Sequence, residues 1–123
     1  MKFHHFGIAC KDINKTSRLL KKNFLAKKII GKTYDPNQKV FLSLFKIGNT
    51  KIELVSGNSV KKFQNNKMIY HICYQVKNIE TQIKKLVNQG CVLVIGPVPA
   101  KIFKLKRVAF LYSCIGLIEL LEI

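Results

Sequence analysis

Ile52-Glu53-Leu54 returns 66 positions later in this 123-residue chain as Ile118-Glu119-Leu120. The same offset places His5 on His71, so the correspondence also includes the beginning of each half. A repeat of this length exceeds the roughly 20 to 50 residues of solenoid and propeller repeats and is typical of a duplicated supersecondary module. The sequence therefore predicts that two copies of one module fill the chain.

Secondary structure signals occur in the same order in both halves and predict a βαβββ unit. In the first half, hydrophobic alternation over Phe3 to Cys10 predicts a strand. Asp12 is suited to cap a helix whose apolar positions extend from Ile13 to Phe24. Three further strands, separated by turn-forming Asp-Pro-Asn and Gly-Asn sequences, are predicted at residues 26–34, 40–47 and 50–55.

The second half repeats the unit with a helix from Asn78 through Val87 and Gly90 as its C-cap. Its strands are predicted at residues 69–76, 91–95, 107–112 and 117–123. The intervening residues are polar and carry lysines, with a helical turn expected over 60–64. We therefore predict one α+β domain that consists of module one at 1–55, a linker at 56–68 and module two at 69–123.

Two of the only six acidic residues lie in the matched apolar segments, where a buried carboxylate needs a cation or solvent to compensate its charge. Strand alternation places Glu53 and Glu119 on the face opposite their isoleucine and leucine neighbours. The same reasoning places His5 and His71 on that face, and each histidine precedes its glutamate by 48 residues. Two imidazoles and two carboxylates suit a divalent cation with open coordination positions, so these four residues form a candidate metal site.

Other chemically active residues are expected to play smaller parts. His4 alternates with His5 and is expected on the opposite strand face with a structural role. Glu122 is expected to be a solvated carboxylate near the end of the chain and not a ligand. The four cysteines lack the closely spaced pairs of zinc sites and are expected to be buried free thiols: Cys10, Cys73, Cys91 and Cys114.

The composition excludes several classes of protein. The net charge is +16, but the 48% hydrophobic content indicates a folded core and not a disordered basic tail. No apolar stretch approaches the roughly 20 residues of a membrane span, and no secretory signal is visible, so a cytoplasmic protein without membrane contact is expected. No nucleic-acid-binding motif accompanies the lysines, so no specific nucleic acid partner is expected. Four basic residues precede the seventh strand: Lys101, Lys104, Lys106 and Arg107. Lysine-rich loops are usually only solvated, and the alternative is that this cluster lies at the site mouth and steers an anionic substrate.

The motifs around these residues resemble the vicinal oxygen chelate superfamily, which includes glyoxalase I and methylmalonyl-CoA epimerase. His4 to Ala9 is similar to the opening strand of that family. Tyr70 to Val76 resembles its HHICYEV segment, and Gly116 to Leu120 resembles its closing GxLIEL segment. The resemblance covers essentially the whole chain and implies paired βαβββ modules that form a half-open barrel.

The resemblance also implies one divalent metal ion, Zn, Ni, Co, Mn or Fe, held by His5, Glu53, His71 and Glu119. This set is more similar to glyoxalase I than to the epimerases, which commonly carry Gln at the position of Glu53. It implies a lyase or isomerase in which Glu119 or Glu53 moves the proton next to a metal-polarised carbonyl. The implied partners are a small anionic carbonyl or thioester substrate and a second copy of the chain in a homodimer.

Departures from the family motifs leave the substrate open. The epimerase HPK segment is replaced by Leu111-Tyr112-Ser113, and no glutathione-binding pattern is present. A noncatalytic small-molecule-binding protein, like the antibiotic-resistance branch of the same superfamily, is the alternative. Retention of all four ligand types favours the enzyme, and the second carboxylate argues against an extradiol dioxygenase, which uses two His and one Glu.

Overall fold

The computed structural model describes residues 1–66 and 69–123, so positions 67 and 68 of the expected linker lie outside the described residues. The first half contains β1 (Lys2–Ala9), α1 (Ile13–Phe24), β2 (Lys27–Asp35), β3 (Val40–Ile47), β4 (Thr50–Ser56) and a 3₁₀ helix, η1 (Asn58–Asn66). The second half contains β5 (Ile69–Val76), α2 (Ile79–Asn88), β6 (Val92–Ala100), the short 3₁₀ helix η2 (Lys101–Phe103), β7 (Lys106–Ser113) and β8 (Gly116–Glu122). The predicted βαβββ order is confirmed in both halves.

All eight strands form one curved sheet in the order β2-β3-β4-β1-β5-β8-β7-β6. Each half contributes four neighbouring strands, and β1 joins β5 in antiparallel orientation at the centre. Within the halves, β1 pairs with β4 and β5 with β8 in parallel. The predicted α+β half-open barrel is therefore confirmed, and its four central strands carry the four candidate ligands.

Both helices begin at the residues that the sequence predicts. Asp12 Oδ1 accepts a hydrogen bond from Lys15 N at 3.0 Å, and Asn78 Oδ1 accepts one from Thr81 N at 2.8 Å. At the other end of α2, Gln89 and not Gly90 is the capping residue. Gly90 follows it with a φ of +101°, a conformation in which glycine is favoured.

The two helices cover the convex side of the sheet and leave the concave side to the site. Ile13 and Leu20 of α1 pack in one cluster with Phe45 and Leu54. The equivalent α2 cluster contains Ile79, Ile83, Leu86, Ile118 and Leu120. Leu54 and Leu120 thus face the helices, and the glutamates that precede them face the concave side.

Short 3₁₀ helices close the concave side. Val60 of η1 and Ile102 of η2 are buried in one cluster with residues of β3 and β4. Strand β6 is longer than predicted, because Pro97 and Pro99 are tolerated on an edge strand, where fewer backbone hydrogen bonds are required. No helix within the described ranges is long and apolar enough to cross a membrane.

Candidate metal centre

Four side chains from the four central strands meet on the concave side of the sheet. They are His5 of β1, Glu53 of β4, His71 of β5 and Glu119 of β8, and their ligand atoms all lie within 4.8 Å of one another. Each of the four residues is at most 2% exposed. The structure therefore places together the four residues that the sequence selects as candidate ligands.

The histidines form the middle of the cluster, and the glutamates flank them. His5 Nε2 lies 3.1 Å from His71 Nε2. Glu119 Oε2 lies 3.2 Å from His5 Nε2 and 3.1 Å from His71 Nε2. Glu53 Oε1 is farther away, at 3.6 Å and 3.7 Å from the same two nitrogens. Because β4 and β8 lie on opposite sides of the β1–β5 pair, the two carboxylates approach the histidines from opposite sides.

A glycine makes room for one of the imidazole rings. Gly7 is the register partner of both His71 and Glu53. A Cβ added at position 7 would lie 2.0 Å from Cε1 of His71, so the ring occupies the space that any other residue would fill. At the position equivalent to Gly7 in the second half, Cys73 is paired with His5 and is completely buried.

Two β-bulges adjust the centre of the sheet, and they occupy equivalent positions in the two halves. His4 is the extra residue of the bulge in β1, because its two neighbours pair with consecutive residues of β5. Tyr70 is the extra residue of the bulge in β5, because its two neighbours pair with consecutive residues of β1. The expectation that His4 lies away from His5 is wrong, since the two Nδ1 atoms are 2.7 Å apart. The bulge interrupts the alternation and allows neighbouring side chains to touch. The Tyr70 and His71 rings are likewise in edge contact, with centroids 4.5 Å apart.

Burial and charge act in opposite directions on these groups. Burial alone would lower the pKa of His5, but the neighbouring carboxylates of Glu53 and Glu119 raise it to about 10. The two imidazoles hold the pKa of Glu119 well below its usual range despite burial. The pKa of His4 falls to about 4 because of its burial and the neighbouring charge of His5. The electrostatic balance of the cluster thus depends on cationic charge between the carboxylates.

The hydrogen-bonding pattern of the cluster fits a bound cation. Within the described part of the chain, Glu53 Oε2, Glu119 Oε2 and His71 Nδ1 are buried without a hydrogen-bond partner. Buried polar atoms are rarely left unpaired, and two imidazole nitrogens that face each other need a proton or a metal between them. Two nitrogen and two oxygen donors are a suitable set for a divalent transition metal. The residues present therefore fit the metal that the sequence predicts.

Aromatic rings surround the cluster. Phe103 of η2 stacks on His5 with ring centroids 5.7 Å apart and touches His4 edge-on at 5.5 Å. Phe110 of β7 meets the His71 ring edge-on at 5.5 Å. These rings exclude water and increase the strength of electrostatic interactions inside the site.

A small open cavity of about 110 Å³ lies next to these rings on the concave side. Tyr70 and Phe110, which both contact His71, form part of its wall. Most of the remaining lining is apolar, and Gln38, Ser59 and Lys62 supply polar groups. The cavity is suited to a compact, largely apolar portion of a small molecule.

Arg107 and Glu122 differ from their expected environments. Arg107 Nε donates to Glu122 Oε2 at 2.8 Å, and its guanidinium also binds Glu80. Glu122 in addition accepts a hydrogen bond from Ile79 N at 3.1 Å, which fixes the start of α2. Arg107 therefore neutralises two carboxylates, whereas Lys101, Lys104 and Lys106 of the expected steering cluster are exposed. Sequence spacing alone does not reveal the pairing, because the partners come from three separate elements.

The sequence predicts Asp35 only as part of a turn, whereas its side chain also makes a contact with a distant part of the chain. Its side chain is fully buried, and Oδ1 accepts hydrogen bonds from Asn37 N at 2.8 Å and Gln38 N at 3.1 Å. Oδ2 accepts another from Lys101 N at 3.0 Å, so Asp35 connects β2 to η2.

The four cysteines are free as predicted, but Cys114 is exposed and Cys91 only partly buried, since both lie beside turns.

The profile of the Glyoxalase/Bleomycin resistance protein/Dioxygenase superfamily matches residues 4–110. Among solved structures, a hypothetical protein from Bacillus halodurans C-125 is similar at 30% identity and a TM-score of 0.82, with 99% of this chain and 94% of that chain covered. No curated protein matches the chain.

Methylmalonyl-CoA epimerases also share the fold. The enzyme from Mycobacterium tuberculosis is 18% identical with a TM-score of 0.79, and 98% of this chain and 87% of that chain are covered. A variant of the Streptomyces coelicolor enzyme, in complex with 2-nitronate-propionyl-CoA, is 18% identical with a TM-score of 0.80. That match covers 99% of this chain and 96% of the other. At these identities the likeness concerns the fold alone.

Proposed function

The chain belongs to the Glyoxalase/Bleomycin resistance protein/Dioxygenase superfamily, and on this premise we propose that it is a divalent-metal-dependent lyase or isomerase. The proposed reaction is of the glyoxalase I or methylmalonyl-CoA epimerase type, in which a proton moves next to a carbonyl group. The proposed ligands are His5, Glu53, His71 and Glu119. The proposed substrate is a small anionic carbonyl compound or thioester.

The observation that carries this proposal is the buried cluster of two imidazoles and two carboxylates with three unpaired polar atoms among the described residues. Uncompensated buried carboxylates are costly, by several kcal/mol for each ion. If these four residues had only a structural role, well-packed apolar side chains at the same positions would stabilise the fold at least as well. The donor set and its burial support a metal that polarises a substrate oxygen when it is bound.

Glu119 and Glu53 are the proposed proton-transfer groups. Both carboxylates point to the concave side, and each has one oxygen without a hydrogen-bond partner within residues 1–66 and 69–123. Because they flank the histidines from opposite sides, one carboxylate on either side of a bound substrate is able to take a proton from carbon. The same group or its counterpart then returns the proton to the neighbouring position or to the other face.

A noncatalytic binding protein is the second candidate, and the apolar cavity favours it. Its lining offers apolar contact area but few polar groups that would position a reacting bond. Under this alternative the cluster would be dispensable for ligand binding. The two candidates therefore differ in whether small-molecule binding requires the His and Glu side chains.

Metal analysis of protein purified without chelator and without an affinity tag is the first test. We expect about one divalent ion per chain and its loss in the His5→Ala variant. The metal-loaded protein would then be screened with 2-oxoaldehyde adducts, 2-oxo acids and acyl thioesters in D₂O, with deuterium incorporation next to the carbonyl measured by NMR. Failure of the wild-type chain to retain any divalent ion would overturn the enzyme proposal in favour of the binding protein.

A further inference from the structure

Three lysines stand directly opposite one another on three neighbouring strands. Lys27 of β2 is the register partner of Lys46 of β3, and Lys46 is the partner of Lys51 of β4. Adjacent strands lie only about 4.8 Å apart. Like charges that face each other in this way destabilise a sheet. The stability of the sheet therefore does not explain why three lysines occupy these facing positions.

The lysine row, Lys27–Lys46–Lys51, lies on the same side of the sheet as the candidate metal centre. Lys51 precedes Glu53 by two residues in β4, and Lys46 follows Leu44, the register partner of Glu53, by two residues. Residues two apart on a strand share a face and are separated by about 7 Å. Lys51 is half-buried, whereas the other two lysines are exposed. The row thus extends from the edge of the centre toward solvent.

The equivalent row in the second half is apolar. Tyr112 of β7 and Leu117 of β8 are the equivalents of Lys46 and Lys51, and they pair with each other. Tyr112 also pairs with Val92 of β6, at the outer end of this row. Tyr112 and Leu117 line the cavity. Since the second module folds with uncharged residues at all three positions, the fold itself does not require lysines there.

Within the described ranges, no carboxylate neutralises the lysine row. Two of the six acids are in the candidate metal centre, and each of the other four has another partner in this part of the chain. Those four are Asp12 with the α1 backbone, Asp35 with the β2–β3 turn and η2, and Glu80 and Glu122 with Arg107. The positive charge of the row is therefore available to a ligand.

A fourth lysine brings further positive charge to the same region. Lys106 of β7 shares a strand face with Val108, which is buried on the concave side with Cys73 and Leu121. Lysines from both halves therefore lie on the concave side of the sheet, which also holds the candidate metal centre.

We propose that Lys46 and Lys51, with Lys27 at the outer end, bind the anionic group of the substrate while its carbonyl end reaches the metal centre. This inference rests on the proposed function and narrows it to carbonyl compounds whose carboxylate or phosphate lies a few bonds from the reacting oxygens. Lys51 and Glu53 are about 7 Å apart along β4, and this distance limits how far the anionic group of the substrate lies from its reacting oxygens. The cavity next to Tyr112 and Leu117 is left for the apolar part of the molecule.

Hydroxamates test the proposal, because their two neighbouring oxygens bind a divalent ion without reaction. Calorimetry of the Ni²⁺-loaded protein would compare acetohydroxamate, which is uncharged beyond its chelating group, with succinate monohydroxamate, which adds a carboxylate. A third probe, 3-phosphonopropionohydroxamate, distinguishes phosphate from carboxylate as the preferred group. We expect an anionic tail to strengthen binding by about tenfold, the scale of one charge-assisted hydrogen bond.

A double variant, Lys46→Gln with Lys51→Gln, should lose this gain and bind all three probes about equally. The matched control is Lys84→Gln with Lys85→Gln, which removes the same charge from exposed positions on α2 and should retain the gain. Removal of opposed like charges should not lower the melting temperature, so misfolding would be recognised by thermal unfolding. An unchanged gain in the Lys46/Lys51 variant would overturn the proposal.

Metal-free protein provides the readout that separates this inference from the proposed function. Inorganic phosphate, titrated into the ¹⁵N-labelled metal-free chain, should shift the amide resonances of Lys46 and Lys51 with saturation. The shifts should be absent from the Lys46→Gln/Lys51→Gln variant and present in the α2 control. If no metal binds but these shifts are seen, the proposed function fails and the anion site stands. If acetohydroxamate binds the loaded protein but neither an anionic tail nor phosphate has an effect, the anion site fails alone.

Discussion

The imidazole of His71 lies against the backbone of Gly7, so closely that a Cβ on Gly7 would be 2.2 Å from Nδ1 of the ring. The ring is therefore positioned by the absence of a side chain on the neighbouring strand. His71 Nε2 in turn lies 3.1 Å from His5 Nε2. A single missing methyl group on β1 thus controls the geometry of the candidate metal centre.

Gly7→Ala should displace the His71 ring and weaken metal binding by at least about tenfold, because one ligand can no longer approach the others. Overpacking of this kind typically costs about 1 to 3 kcal/mol of stability. Competition with a metal-binding dye would measure the affinity, and urea unfolding would measure the stability.

Gly31→Ala is the matched control for this substitution. Gly31 also lies in a strand, β2, but nothing among the described residues is within 4 Å of an added Cβ there. Its metal affinity should be that of the wild type, with stability changed by less than about 1 kcal/mol. Equal metal affinities in the two variants would show that His71 does not depend on Gly7.

His5→Ala should weaken the retention of metal and not the chemistry itself. The substitution removes a neutral nitrogen donor but leaves three of the four proposed ligands in place. Activity lost at stoichiometric metal should therefore return, at least in part, when millimolar divalent ion is added. Metal content after gel filtration and activity at rising metal concentration are the two measurements. Activity that stays absent at saturating metal would assign His5 to a role beyond metal binding.

Local sequence signals predict much of the fold because each signal depends only on residues within one strand, helix or turn. Strands β3 and β5 begin and end where alternation and turn residues predict. The Asp12 and Asn78 caps need only a side chain three residues from the backbone amide that it binds. The four candidate ligands could be predicted to share one face because the repeat places a His and a Glu at equivalent strand positions in both halves.

Features that depend on pairing between elements could not be predicted in this way. The bulge at His4 is a property of the β1–β5 register, which one strand's alternation does not specify. Arg107 appears in the sequence as one more basic residue before a strand, yet Glu80 and Glu122 reach it from α2 and β8. The lysine row is likewise visible only when the registers of β2, β3 and β4 are known.

The chain is expected to be a homodimer that covers part of the β6 edge. Four consecutive apolar residues of this edge strand, Val92 to Ile95, are each between 39% and 61% exposed. Exposed apolar edges promote pairing with another chain, and small domains gain stability from it. Sedimentation should give twice the 14.1 kDa mass of the chain at micromolar concentration.

Val92→Lys should shift this equilibrium toward the monomer. Leu25→Lys serves as the control, since Leu25 is 83% exposed but follows α1, far along the chain from β6. A wild-type mass near that of one chain would rule out the dimer.

Glu119→Gln should separate metal binding from turnover. The amide retains an oxygen that can contact a metal but cannot accept and return a proton. Metal occupancy should fall modestly, whereas proton exchange next to the substrate carbonyl should slow by about 100-fold or more, the scale of a lost general base. Glu53→Gln is the informative comparison, because Glu53 lies farther from both imidazoles, at 3.6 Å and 3.7 Å. Deuterium incorporation and metal content, measured on the same samples, assign the base: the variant with the larger loss of exchange at equal metal content identifies it. Full exchange activity in both variants would exclude either glutamate as the proton-transfer group.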